Sequence, residues 1–154
     1  MKNFSATKYS LQNVTTGRIF EDEGWLLDDP EGGSPSLIRA RYTTRQIKPG
    51  GDEMGIYRFA QWLPVGRMLK GSCAPVTYKS SKLAAALGLK NLYITFNGYY
   101  PKIGAHMSTC SFKETEAYSV CGRLGEDHAH KVLVVASAGN TARAFARVCS
   151  DNRI

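Results

Sequence analysis

The spacing of apolar positions divides the chain into two unlike parts. From Tyr9 to Leu27, short β-prone runs (Tyr9 to Val14, Arg18 to Phe20, Trp25 to Leu27) are separated by Thr16-Gly17 and Asp22-Glu23-Gly24. Turn residues between such runs predict a small β meander. Asp28-Asp29-Pro30-Glu31-Gly32-Gly33-Ser34-Pro35 reads as loop and Lys48-Pro49-Gly50-Gly51-Asp52 as a second strong turn, with Ser36 to Ile47 expected to be extended between them. Residues 1–63 are therefore expected to form a β-rich appendage.

After Leu63-Pro64 the pattern changes to alternating helix and strand signals, so residues 64–154 are expected to form an α/β unit. Ser80-Ser81 is placed to cap a helix that runs through Leu87 and stops at Gly88, and Asn91 to Phe96 follows as a strand. Ala117, Val120, Cys121 and Leu124 fall on one face of a helix from Glu114 to Leu124, ended by Gly125. Lys131 to Ala136 is a continuous apolar run, the pattern of a parallel strand covered on both faces, and Ala142, Phe145, Ala146 and Cys149 give the next helical face. A strand-turn-helix unit needs a returning strand beside the first. The sequence reaches Asn152-Arg153-Ile154 where that strand is expected, which predicts an incomplete sheet in a truncated chain.

Composition narrows the function classes. No run approaches the roughly 18 to 20 apolar residues of a membrane span, and Met1 to Ser10 lacks the apolar core of a signal peptide, so a soluble cytoplasmic protein is expected. Cys73, Cys110, Cys121 and Cys149 include no C-x-x-C pair, which favours reduced thiols over a zinc knuckle or a disulfide framework. The net charge is +7, from 20 Lys and Arg against 13 Asp and Glu. Arg39, Arg41, Arg45, Lys79, Lys82 and Lys90 are scattered and accompany no nucleic-acid-binding motif, so a basic field for small anions is favoured over a nucleic-acid module. His128-Ala129-His130, with Cys121 or His106, fits no zinc spacing and reads as a polar loop; no metal site is expected. Asn13-Val14-Thr15 matches the glycosylation triplet without any secretory context.

Two segments carry chemistry. Ser137-Ala138-Gly139-Asn140-Thr141 lies between the apolar run and a helix, where the first backbone N–H groups and the helix dipole favour a carboxylate or phosphate. Gly139 lets backbone approach a ligand, Ser137 and Thr141 add hydroxyls, and Asn140 offers both donor and acceptor. Taken alone, this is also what an ordinary capped turn looks like. Ser111-Phe112-Lys113 heads the preceding helix. Most lysines are simply solvated, but one that is desolvated near a helix's positive end has its neutral amine available for a Schiff base. Glu114 and Glu116 are accounted for by the dipole at that helix start.

Ser-Phe-Lys, then a helix, then an apolar run ending in Ser-Ala-Gly-Asn-Thr, resembles the paired signatures of the threonine synthase group of fold-type II pyridoxal-phosphate enzymes. Gly71-Ser72-Cys73-Ala74-Pro75-Val76 stands where that family has a Gly-x-Gly-x-Thr-Pro-Leu segment, and Lys82-Leu83-Ala84 through Leu89-Lys90-Asn91-Leu92-Tyr93 continues the likeness over residues 64–154. The usual Asn-Pro-Thr-Gly-Ser-Phe-Lys-Asp-Arg is here Ser108-Thr109-Cys110-Ser111-Phe112-Lys113-Glu114-Thr115. That departure, Asn97-Gly98-Tyr99-Tyr100-Pro101 and the segment Tyr9-Ser10-Leu11-Gln12 are similar to the branch of the family that makes L-cysteate on the route to coenzyme M.

The resemblance implies an α/β fold with the open sheet of fold-type II (tryptophan synthase beta-like) and pyridoxal 5'-phosphate as cofactor. It implies β-replacement on O-phospho-L-serine, with sulfite displacing phosphate, in an enzyme that is homo-oligomeric at full length. Lys113 would bond the cofactor and move the α-proton, Asn140 would hydrogen-bond the cofactor's 3-oxygen, and Ser137, Ala138, Gly139 and Thr141 would hold the substrate carboxylate. The family's glycine-rich phosphate loop and its residue facing the pyridine nitrogen come from downstream sequence, so the chain alone is expected to be inactive. The alternatives are a threonine synthase acting on O-phosphohomoserine and, outside enzymes, a basic nucleic-acid-binding module.

Overall fold

The computed structural model describes residues 7–23, 26–33, 35–125 and 131–154. Its first part is an antiparallel sheet whose centre strand, β1 (Tyr9–Asn13), is flanked by β2 (Ile19–Phe20) and β3 (Ile38–Tyr42). Leu11 pairs with Phe20 on one side and Ala40 on the other. The period of two along β1 buries Leu11 and Asn13 and leaves Ser10 and Gln12 less covered. Asn13 organises the turn: its Oδ1 accepts the backbone N–H groups of Thr15 and Thr16 at 2.9 and 3.0 Å, and its Nδ2 donates to Asp29 at 3.0 Å. An amide so buried and so engaged is a turn device, and the glycosylation triplet carries no modification site in this fold. Leu26 and Leu27 join no ladder, and Trp25 of the predicted third strand lies outside the described residues. The third strand comes instead from Ile38–Tyr42, inside the segment expected to be extended.

The chain next forms an irregular 3-10 segment, Asp52–Trp62, which the apolar spacing does not reveal. It bends at Gly55, where φ is 55°, and a Cβ there would lie 2.4 to 2.6 Å from the backbone of Ser72 and Cys73. Only glycine permits both that conformation and that approach. The bend delivers Tyr57 into the core, its hydroxyl donating to the Tyr118 carbonyl at 2.9 Å and its ring edge-on to that of Tyr118. Tyr57 thus shares a core with residues beyond position 64.

Strands β4 (Val76–Lys79) and β5 (Tyr93–Phe96) pair antiparallel around the short helix α1 (Ser81–Ala86), which ends where Gly88 takes φ of 66°. The short strands β6 (Tyr99–Tyr100) and β7 (Ala105–His106) pair about a 3-10 turn at Pro101–Ile103. Two longer helices follow, α2 (Lys113–Arg123) and α3 (Asn140–Asn152), as their spacing predicts. They pack on each other through Ala117, Tyr118 and Cys121 against Ala144, Phe145 and Val148, with Tyr57, Val65 and Leu69 completing the core. The Cys121 and Cys149 sulfurs lie 4.0 Å apart as free thiols, which puts the C-terminal ends of the two helices side by side. Arg123 ties α2 to the first sheet. Its guanidinium donates to both Asp22 oxygens at 2.6 and 2.7 Å and to the Leu26 carbonyl, while the Tyr9 hydroxyl donates to Asp22 at 2.5 Å.

Two expectations need correction. Lys131 to Ala136 is not a strand covered on both faces. It pairs with no other segment among the described residues. Leu133 and Val135 pack against the core while Val132 and Val134 are 87% and 83% exposed, so only one of its two faces is covered. The buried stripe of α3 is also rotated from Ala142, Phe145, Ala146 and Cys149 to Ala144, Phe145 and Val148, because α3 leans on α2; Ala142 and Ala146 instead line an open groove with Val132 and Ile154. The fold is therefore a mixture of helices and small sheets, and every ladder among the described residues is antiparallel. No helix among them is long and apolar enough to cross a membrane.

Candidate active site

Lys113 is the first residue of α2, on the outer side of its first turn. The turn is built by Cys110, which takes φ of 53°, and by Ser111, whose hydroxyl accepts the Lys113 N–H at 3.3 Å. The Lys113 side chain is 33% exposed, with Nζ 2.5 Å from Glu116 Oε2 and 5.2 Å from the centre of the Phe112 ring. The amine is thus half-covered rather than desolvated, because Glu116 lies one helical turn on along the same face.

Ser137 to Asn140 are exposed and Thr141 is half-covered. The Ser137 hydroxyl accepts the Gly139 N–H at 3.3 Å, Gly139 is the cap residue, and Asn140 opens the helix. No side chain caps this end, and a Cβ built on Gly139 meets nothing within 4 Å, so the start of α3 faces open space. Lys113 and Asn140 thus head two helices that share a core, though among the described residues no hydrogen bond or ion pair joins Lys113 to the turn. Counted from the cysteine contact, each stands about 12 to 14 Å up its own helix.

This donor set suits pyridoxal 5'-phosphate chemistry in part. An accessible primary amine can bond an aldehyde, the Asn140 amide can donate to a phenolic oxygen, and the uncapped N–H groups of α3 can receive a carboxylate.

Glu114, assigned to the helix dipole on sequence grounds, does more. It is 1% exposed, points inward from the residue beside Lys113, and accepts from the Cys73 thiol at 3.2 Å, the Thr109 N–H at 2.7 Å and the Ser108 hydroxyl at 3.4 Å. The signal was in the spacing, since Glu114 sits three, four and seven positions before Ala117, Tyr118 and Cys121, on the face that enters the core. Burial, and then this carboxylate, push the Cys73 thiol up to about 12, which keeps it a donor. The same Gly71 to Val76 segment walls a cleft of about 820 Å³ together with Arg58, Phe59, Ile103 and His106. Among the described residues no group of three His, Cys, Asp or Glu could hold a metal; His128 and His130 lie outside them.

Comparison with known proteins finds relatives that match most of the chain. Over 110 residues, 71% of this chain, it is 56% identical to a protein of Methanocella paludicola described as cysteate synthase. It is 51% identical over 116 residues to the cysteate synthase of Methanococcoides burtonii and 43% identical over 145 residues, 94% of the chain, to that of Methanospirillum hungatei.

This chain is a relative of the cysteate synthases.

It spans 25%, 28% and 33% of the length of those three cysteate synthases. No family model matches the chain, and no solved structure matches it. The match to the Methanospirillum hungatei cysteate synthase covers so much of the chain that it takes in most of both residues 1–63 and residues 64–154.

Proposed function

We propose that this chain carries the lysine side of a cysteate synthase site that holds pyridoxal 5'-phosphate and converts O-phospho-L-serine and sulfite to L-cysteate and phosphate. One conjunction carries the reading. Ser-Phe-Lys opens α2, Ser-Ala-Gly-Asn-Thr opens α3, the two helices share a core, and the chain's relatives are named cysteate synthase. Residues 64–154 would then be the first part of a fold-type II cofactor domain, with residues 1–63 as its appendage.

Each residue has a task in that scheme. The Lys113 amine would hold the cofactor through its aldehyde group and, when free, would take the proton from the substrate's α-carbon. The cofactor, when bound, supplies the electron sink for that carbon. Asn140 would donate to the cofactor's 3-oxygen, and the Ser137 to Thr141 turn would orient the substrate carboxylate through backbone N–H groups and hydroxyls. At the β-carbon the C–O bond would break with phosphate leaving on its electron pair, the sulfur lone pair of sulfite would form the C–S bond, and the Lys113 amine would return its proton to the α-carbon. A net charge of +7 suits a site whose cofactor, substrate and nucleophile are all anionic.

Incubation with pyridoxal 5'-phosphate followed by borohydride reduction should leave a pyridoxyl adduct on the Lys113 peptide, absent from Lys113→Ala. In a polypeptide of the relatives' length, phosphoserine plus sulfite should give cysteate. An adduct confined to another lysine overturns the cofactor assignment, and threonine formed from O-phosphohomoserine without cysteate would make the protein a threonine synthase.

A further inference from the structure

The Glu114 carboxylate joins three segments of the chain. Cys73 belongs to the wall of the large cleft, Ser108 and Thr109 belong to the loop that leads into α2, and Glu114 itself is the neighbour of Lys113. The loop is tightly wound, with Cys110 in the left-handed region, and the Cys110 N–H bonded to the Met107 carbonyl at 3.1 Å. Thr109 is buried, and its hydroxyl finds no hydrogen-bond partner among the described residues. Its backbone N–H has the Glu114 oxygen at 2.7 Å, so removing that acceptor would leave the N–H unsatisfied in the interior along with the hydroxyl. The other side of the carboxylate is equally committed, since the Cys73 thiol remains a donor.

From this geometry we propose that Glu114 is the positioning residue for Lys113, its buried carboxylate fixing the Ser108 to Phe112 loop and the cleft wall at Cys73 so that the amine leaves α2 in one direction. Its relevance to turnover rests on the cofactor reading of Lys113 given above. A buried carboxylate with three donors is costly to build and costlier to leave half-satisfied, and an apolar residue on this face of α2 would serve packing alone. A reacting amine displaced by even an ångström loses a large part of its rate.

Two measurements on the full chain, wild type and Glu114→Gln, test the proposal. The first is amide exchange. Glu114→Gln keeps the shape and removes the charge, and should speed exchange at the Thr109 and Lys113 N–H groups by about tenfold while leaving α3 amides from Ala144 to Val148 unchanged. Cys73→Ala should move the same two amides in the same direction, and Cys73→Ser, which restores a donor, should return them toward wild type. The second is the rate of borohydride-trapped pyridoxyl formation at Lys113, expected to fall by about tenfold in folded Glu114→Gln. Unchanged protection at Thr109 and Lys113 overturns the proposal, as does a rise shared equally by all core amides, which would make Glu114 a general stabiliser. Wild-type labelling at another lysine, with the local exchange response intact, sinks the cofactor reading and leaves the positioning of the Lys113 turn standing.

Discussion

At the scale of single residues, burial sorts the chemistry. Cys121 is fully buried between α2 and α3, and burial with the neighbouring Cys149 sulfur pushes its thiol up to about 12. Cys73 is held up to about 12 by burial and Glu114, whereas Cys110 projects from the exposed turn before α2. The thiolate is the nucleophile, so thiol titration of the folded chain near pH 8 should modify Cys110 first. Cys73 and Cys121 should react only on the timescale of unfolding, measurable by peptide mapping of a maleimide time course. Rapid labelling of Cys121 would contradict the packing of α2 on α3. The candidate site was partly legible at this scale. Lys113 and Ser137 to Thr141 stand out as residue types at helix starts, but the partner of each polar group is set by the tertiary fold. Nothing local to Glu114 names Cys73, which lies 41 positions earlier and meets it only because Gly55 and Tyr57 pull the Gly71 to Val76 segment against α2.

At the scale of elements, long amphipathic helices declared themselves and short paired elements did not. The extent of α2 follows from a 3.6-residue period and a stop signal at Gly125, and the existence of α3 follows from the same period, which are local physics. Strands of two to four residues such as β4, β6 and β7 carry too few positions for a period, and the Asp52–Trp62 segment is held by Tyr57 and Gly55 rather than by propensity. The tie between the first sheet and α2 was likewise invisible, since Asp22 and Arg123 are 101 positions apart. Burial works to raise the Asp22 pKa, and the hydrogen bonds from Arg123 and Tyr9 outweigh it, leaving the carboxyl below its ordinary 3.8. A depressed carboxyl contributes stability that is complete above its unfolded value and lost as pH falls through the folded one. Arg123→Ala should therefore cost roughly 2 to 4 kcal/mol at pH 7, because it strands a buried carboxylate. The gap between variant and wild type should narrow as pH falls into the acid range, because Asp22 of the variant, its burial no longer offset by Arg123, takes up its proton before that of the wild type. Urea melts at pH 7 and pH 3 check this, and a pH-independent gap would mean that Arg123 acts through packing alone.

For the whole molecule, the question is what the Lys131 to Ala136 run reveals about the fold to which this chain belongs. A continuous apolar run reads as a strand covered on both faces, yet here one face rests on the core and the other carries Val132 and Val134 in the open. Periodicity could not separate these cases, because a strand's covering is a property of its neighbours in space. The chain spans 25% to 33% of the three cysteate synthases compared, and the fold-type II proposal assigns this run to a sheet with strands on either side and cover on both faces. The two states make opposite demands on Val134. In this chain Val134→Asp should change stability by no more than about 0.5 kcal/mol, as at other exposed positions, while Leu133→Ala, which opens a gap at the core, should cost about 1 to 2 kcal/mol. In a polypeptide of the relatives' length, Val134→Asp would put a carboxylate into a covered face and should cost several kcal/mol or prevent folding. Chemical denaturation of both variants in both lengths decides the matter. If Val134→Asp is equally harmless in the long polypeptide, its outer face stays open there too, and the doubly covered sheet is the wrong fold for this run.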